Sequence, residues 1–148
     1  MWKSADLCLT NEQILEVLIQ LPIGNILLLD GPTGCGKTSL LKKMATSEMR
    51  TIKIYSIEDF REFLVERIRR SPYRLTELPG NDIIAIEDVD FLGCTDSIQI
   101  EAAFLIERSL KKHPIILTGI QLYNRLPDMI QYFLRSKNYI RLCEYIKE

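Results

Sequence analysis

Short apolar runs alternate along the chain with stretches whose apolar residues recur at helical spacing. Four runs, Ile26 to Leu29, Ile52 to Tyr55, Ile83 to Ile86 and Ile115 to Leu117, are each followed by polar or turn residues. Runs of this length, apolar apart from Lys53 and bounded by turn residues, predict buried strands. Between them, Thr38 to Thr46, Glu58 to Arg70 and Ser97 to Lys112 carry the helical period, with Phe60, Phe63, Leu64 and Ile68 as one example. Asn11 to Gln20 is a further helix, capped by Thr10 or Asn11. A weaker fifth strand is expected near Tyr139 to Leu142, and SPYRLTELPGN, residues 71 to 81, reads as a turn-rich connection. Strands alternating with helices predict an α/β domain with a parallel sheet between two helical layers.

At 148 residues the chain has room for one domain with a sizeable core. The expected organisation is a single unit, with residues 1–24 as an amino-terminal helical segment and 25–143 as the α/β core. Hydrophobic residues make up 47% and charged residues 26%, with a formal net charge of −1. That is the balance of an ordinary globular protein. The cysteines at 8, 35, 94 and 143 form no CxxC pair, so the sequence suggests neither a zinc site nor a disulfide framework. The start shows no long apolar segment and no stretch approaches a membrane span, so a cytoplasmic location with no membrane partner is expected.

The densest chemistry lies in LLLDGPTGCGKTSLLKKM, residues 27–44. Gly31, Gly36, Lys37 and Thr38 satisfy G-x-x-x-x-G-K-[ST], with an apolar strand before and a helix after. Glycines at 31, 34 and 36 let the backbone N–H groups of Gly31, Pro32, Thr33, Gly34, Cys35, Gly36, Lys37, Thr38 and Ser39, proline excepted, turn toward phosphate oxygens at a helix N-terminus. Lys37 would reach the β- and γ-phosphates, and the Thr38 hydroxyl would ligate Mg2+. Cys35 reads as a tolerated small residue at a variable loop position.

DIIAIEDVD, residues 82–90, is an apolar run that ends in Glu87, Asp88 and Asp90. A magnesium nucleotide needs carboxylates at such a strand end, so Glu87 is assigned to the metal and Asp88 to the attacking water.

The order and spacing of GPTGCGKTSLL, IKIYSIEDFREFLVERIR, IIAIEDVDFLG and IILTG resemble the AAA+ domain of the bacterial replication initiator DnaA and its truncated regulatory relatives. The likeness runs from about Asn25 to Leu142, and IEDVDFLG is its most specific part. It implies a P-loop three-layer sandwich whose five-stranded parallel sheet has the order 5-1-4-3-2, with ATP or ADP at the carboxyl ends of the strands. It also places Thr118 at the polar sensor position facing the γ-phosphate, which makes Lys37, Asp88 and Thr118 the expected catalytic set. In FLRSKNYIRL, residues 133–142, Lys137 stands where an arginine finger is expected, with Arg135 close by; lysine lacks the planar fork that grips a phosphate twice. The family continues after the fifth strand into a helical lid; this chain departs from that pattern by stopping at Glu148, so a core without the lid is expected, with weakened nucleotide affinity and hydrolysis.

Arg61, Arg67, Arg69, Arg70 and Arg74 lie on and beyond the helix after the second strand. In the family this region can face single-stranded DNA, and arginines with Tyr73 suit backbone contact and stacking. The simpler reading is a solvated face, because Glu58, Asp59, Glu62 and Glu66 are interleaved at i,i+3 and i,i+4 spacing. His113 carries no evident chemistry, while Trp2 and the amphipathic helix from Asn11 could pack on the core or dock a partner.

The expected function is that of an ATP-binding, DnaA-like AAA+ protein with weak ATPase activity, acting in initiation or regulation of replication. Its partners would be a replication initiator, helicase or other replication protein, with single-stranded DNA as a further candidate. The alternative is a non-hydrolysing module that docks a replication protein. A small-molecule kinase would require a substrate lid that the sequence does not supply.

Overall fold

The computed structural model describes residues 6–9, 11–30, 37–46, 50–69, 82–91, 94–119, 126, 128, 130, 131 and 139–145. In chain order these form β1 (Asp6–Leu9), α1 (Asn11–Gln20), β2 (Ile26–Asp30), α2 (Lys37–Ala45), β3 (Ile52–Ser56) and α3 (Ile57–Arg69). They continue with β4 (Ile83–Glu87), α4 (Asp96–Ser109), β5 (Ile115–Gly119) and β6 (Tyr139–Tyr145).

All strand pairs are parallel, in one sheet of order β1-β6-β2-β5-β4-β3. The four apolar runs of the sequence therefore lie as expected, in the succession β2-β5-β4-β3, with β3 at the sheet margin. The expected count of five strands is corrected to six. β6 covers the residues marked for the fifth strand and pairs with β2 over Ile26↔Tyr139 to Leu29↔Leu142. The additional strand, β1, lies in the amino-terminal segment and pairs with β6 at the sheet margin. Its four residues, DLCL, are too few to show a period on their own, and their partner is at the far end of the sequence.

The sheet has a core on each face because strand side chains alternate. Ile26 and Leu28 of β2, Ile84 and Ile86 of β4, and Ile115 and Leu117 of β5 face one cluster, filled by Phe60 and Leu64 of α3 and Leu105 and Ile106 of α4. Leu27, Leu29, Ile83, Ala85 and Ile116 face the other, filled by Leu18 of α1, Leu21 just after it, and Leu41 of α2. Burying each large aliphatic or aromatic side chain contributes about 1.5–3 kcal/mol, so the two apolar layers are the main force that aligns the strand ends.

Polar contacts fix the joints between layers. The Arg50 guanidinium donates to the carbonyls of Ile19 and Leu21 at 3.2 and 2.6 Å. It thereby caps the carboxyl end of α1. The Ser56 hydroxyl accepts from the Asp59 N–H at 3.1 Å and caps α3, whose first turn also carries Glu58 and Asp59. Thr95 caps α4 by accepting from the Ile98 N–H at 3.4 Å. Before β4, Asp82 Oδ2 accepts from the Thr51 N–H at 3.0 Å while the Asp82 N–H donates to Thr51 Oγ1 at 3.2 Å. Donation to the carboxylate from the Thr51 N–H, and next from the Thr51 side chain, holds the Asp82 carboxyl below its usual value, because both favour the charged form. None of the described helices is long and apolar enough to cross a membrane.

Candidate functional site at the carboxyl edge of the sheet

Register brings four strand ends to one edge. Leu29 pairs with Thr118 and Asp30 with Gly119, while Ser56 pairs with Glu87. β2 and β5 are neighbours in space, yet β2 leads to β3 at one margin and β5 leads on to β6 on the opposite side of β2. A crevice at such a change of direction, outside the carboxyl ends of the strands, is where open α/β sheets bind ligands.

The best-defined part of this edge is the turn that follows β4. Glu87 closes the strand half-buried, and Asp88 is exposed with φ at 57°. That angle lies in the left-handed region. It costs a residue with a Cβ about 1–2 kcal/mol, so surrounding contacts must impose it. Thr118, only 2% exposed at the end of β5, supplies two of them. Its Oγ1 accepts from the Asp88 N–H at 3.2 Å, and its carbonyl accepts from the Val89 N–H at 2.8 Å.

Past Asp88 the chain is anchored from α3. Val89 and Phe91 are buried. The Phe91 ring meets Phe60 edge to face, with centroids 6.1 Å apart and planes at 80°. This is one of the two arrangements that aromatic quadrupoles favour. Next to Phe60, the Arg61 Nη2 donates to the Asp90 carbonyl. The turn is thus gripped by β5 on one side and α3 on the other, with Asp88 exposed between them.

Of the catalytic set, the structure brings Asp88 and Thr118 into direct contact. Lys37, Thr38 and Ser39 open α2, which leaves the loop after β2. Gly31, Pro32, Thr33, Gly34, Cys35 and Gly36 lie outside the described residues, as do Arg70, Tyr73, Arg74, Arg135, Lys137 and Trp2. Arg67 and Arg69 belong to the last turn of α3, with Arg69 exposed. Glu87 and Asp88 offer hard oxygen donors next to a threonine hydroxyl, the donor chemistry that magnesium with a polyphosphate takes; one or two carboxylates suffice because phosphates and water complete the shell.

Arg61 departs from the solvated face expected of it. It is half-buried, and its Nε–H is buried with no hydrogen-bond partner among the described residues. The signal was present in the sequence: Ile57, Phe60, Arg61 and Leu64 fall at i, i+3, i+4 and i+7, the stripe that faces a core. Charge interleaving with the neighbouring glutamates obscured it.

Residues 27–141 match the family described as "ATPase family associated with various cellular activities (AAA)". The chain belongs to the AAA family. Among solved structures, the "Replication initiator DnaA bound to AMPPCP and single-stranded DNA" is similar with a TM-score of 0.59 and 23% identity, over 89% of this chain and 44% of that one. Domain III of the Thermotoga maritima replication initiation protein DnaA gives 0.59 and 17%, over 89% and 59% of the two chains. The DnaC helicase loader gives 0.60 and 16%, over 88% and 86%. At these identities the likeness is one of fold, and this AAA chain spans less than half of the first DnaA. No curated protein matches it in sequence.

Proposed function

We propose that the chain is an ATP-binding AAA protein, a single nucleotide-binding domain that acts in the cytoplasm in the initiation or regulation of DNA replication. The observation that carries this reading is the Asp88 turn: a strained, exposed acid held by the buried Thr118 on the edge where α2 begins. The likeness in fold to DnaA and DnaC supports the replication role and points to an initiator, a helicase or another replication protein as partner, with single-stranded DNA as a further ligand.

In this reading residues 31–39 cradle the phosphates and Lys37 reaches the β- and γ-phosphates. Thr38 and Glu87 would hold Mg2+, whose charge offsets that of the phosphates. Asp88 orients a water and accepts its proton for in-line attack on the γ-phosphate. Thr118 Oγ1 already accepts from the Asp88 N–H, so its own O–H is left to donate toward the γ-phosphate side. One hydroxyl would then tie the acid that handles water to the group that is attacked.

A second reading, a non-hydrolysing module that docks a replication protein, is favoured by Ile100 and Phe104, which are exposed one turn apart on α4. Steady-state phosphate release separates the two. With ATP and magnesium, the wild type should release phosphate faster than Lys37→Ala and Asp88→Asn, and single-stranded DNA should stimulate the difference. A wild-type rate no higher than either variant would reject turnover and leave the docking module.

A further inference from the structure

We propose that Arg61 is a positioning residue: through the Asp90 carbonyl it holds the exit of the acidic turn and so keeps Asp88 in its left-handed conformation. Its effect on turnover rests on the nucleotide-site reading above, whereas its effect on the turn does not.

Asp88 is a non-glycine residue at φ 57°. Aspartate enters this region more readily than most residues, and here the surrounding structure holds it there. Thr118 fixes the entry, through the Asp88 and Val89 N–H groups. It does not reach the exit. Two residues beyond Asp88, the Asp90 carbonyl is taken by Arg61, and the following ring, Phe91, packs on Phe60, the residue beside Arg61. One segment of α3 therefore supplies both the polar and the apolar grip on the exit.

The energetic penalty of Arg61 supports a specific role. It occupies a stripe position whose companions Ile57, Phe60 and Leu64 are buried and apolar, and its buried Nε–H lacks a partner among the described residues. A desolvated, unpaired N–H of a charged group is unfavourable, and an aliphatic side chain would fill that position without it. What an aliphatic residue lacks is a charged donor long enough to cross from α3 to a main-chain carbonyl beyond β4. A hydrogen bond from a charged donor to such a carbonyl is among the stronger ones available.

The test uses Arg61→Met, which keeps an unbranched stem, and Arg61→Lys, which keeps charge without the fork. Amide hydrogen exchange is measured on the full chain without nucleotide. In Arg61→Met the Asp88 and Val89 amides should exchange about tenfold faster, while Ile84 and Leu117 in the adjoining strands keep wild-type protection. Arg61→Lys should fall between. With ATP and magnesium, kcat for phosphate release should drop in Arg61→Met at unchanged KM, because a misplaced acid harms the reacting state and not ground-state binding. Unchanged exchange at Asp88 and Val89, or an equal rise at Ile84 and Leu117, would overturn the proposal. If the wild type releases no phosphate, the nucleotide-turnover reading fails, and the exchange comparison still decides the role of Arg61.

Discussion

β4 begins and ends beside an aspartate and a threonine, and the two pairs are wired in opposite senses. At the amino end, the Asp82 carboxylate itself accepts from the Thr51 backbone, and the pair is exposed. At the carboxyl end, the Asp88 backbone donates to the buried Thr118, and the exposed residue is the acid. The first arrangement uses the carboxylate to join β3 to β4. The second uses the main chain, through a left-handed residue, and holds the carboxylate out at the carboxyl edge of the sheet. An acid whose carboxylate joins two strands is structural, whereas one held by its main chain keeps its carboxylate exposed, and it is the second kind that the proposed nucleotide site would use.

The comparison breaks most severely if the apolar anchor of the carboxyl-end turn is removed. Phe91→Ala should destabilise the protein by about 3–5 kcal/mol, as deletion of a buried aromatic does, and urea unfolding would measure it. A loss below about 1 kcal/mol, the range of an ordinary surface change, would mean that the turn is not anchored from α3.

Next in size is the contrast between the threonines. Thr118→Val removes the acceptor of the Asp88 N–H at a buried position and should cost about 1–2 kcal/mol, together with most of any phosphate release. Thr51→Val, at the exposed pair, should stay within about 1 kcal/mol and leave nucleotide binding alone. Equal effects on binding and turnover would erase the distinction between the two ends of β4.

The smallest effect is a pH dependence. The folded-state value of Asp82 is lowered. Its contribution is therefore complete above the ordinary carboxyl range, about pH 4, and is lost as pH falls through the lowered value. Thermal unfolding from about pH 6 down to about pH 3 should show the advantage of wild type over Asp82→Asn shrinking only at the acid end. An advantage that instead grew toward acid would contradict the Thr51 bonds as the cause.

Much of the fold was legible because the central strands are apolar on both faces. Ile83 to Ile86 and Ile115 to Leu117 could be placed within one or two residues from composition alone, since a run that must be covered on both sides leaves few alternatives. β1 was not legible: a four-residue margin strand has little pattern of its own and is created by pairing with β6. At the candidate site, Glu87, Asp88 and Thr118 were marked as strand-end residues, and the structure places each of them at the carboxyl end of its strand. The backbone conformation of Asp88 and the grip of Arg61 were not legible, because both depend on how α3 and β5 meet the end of β4. For Arg61 the stripe position and the charge point in opposite directions, and only the packing of α3 against the end of β4 decides between them.

The central claim is that the edge joining Thr118, Asp88 and the start of α2 is a nucleotide site. Calorimetric titration of the full chain with ATP in magnesium tests it most directly, with Lys37→Ala and Asp82→Asn measured in parallel. The account predicts saturable binding by the wild type and by Asp82→Asn, and a loss of about tenfold or more in affinity for Lys37→Ala. Absence of binding by the wild type, or equal affinity in Lys37→Ala, would contradict it.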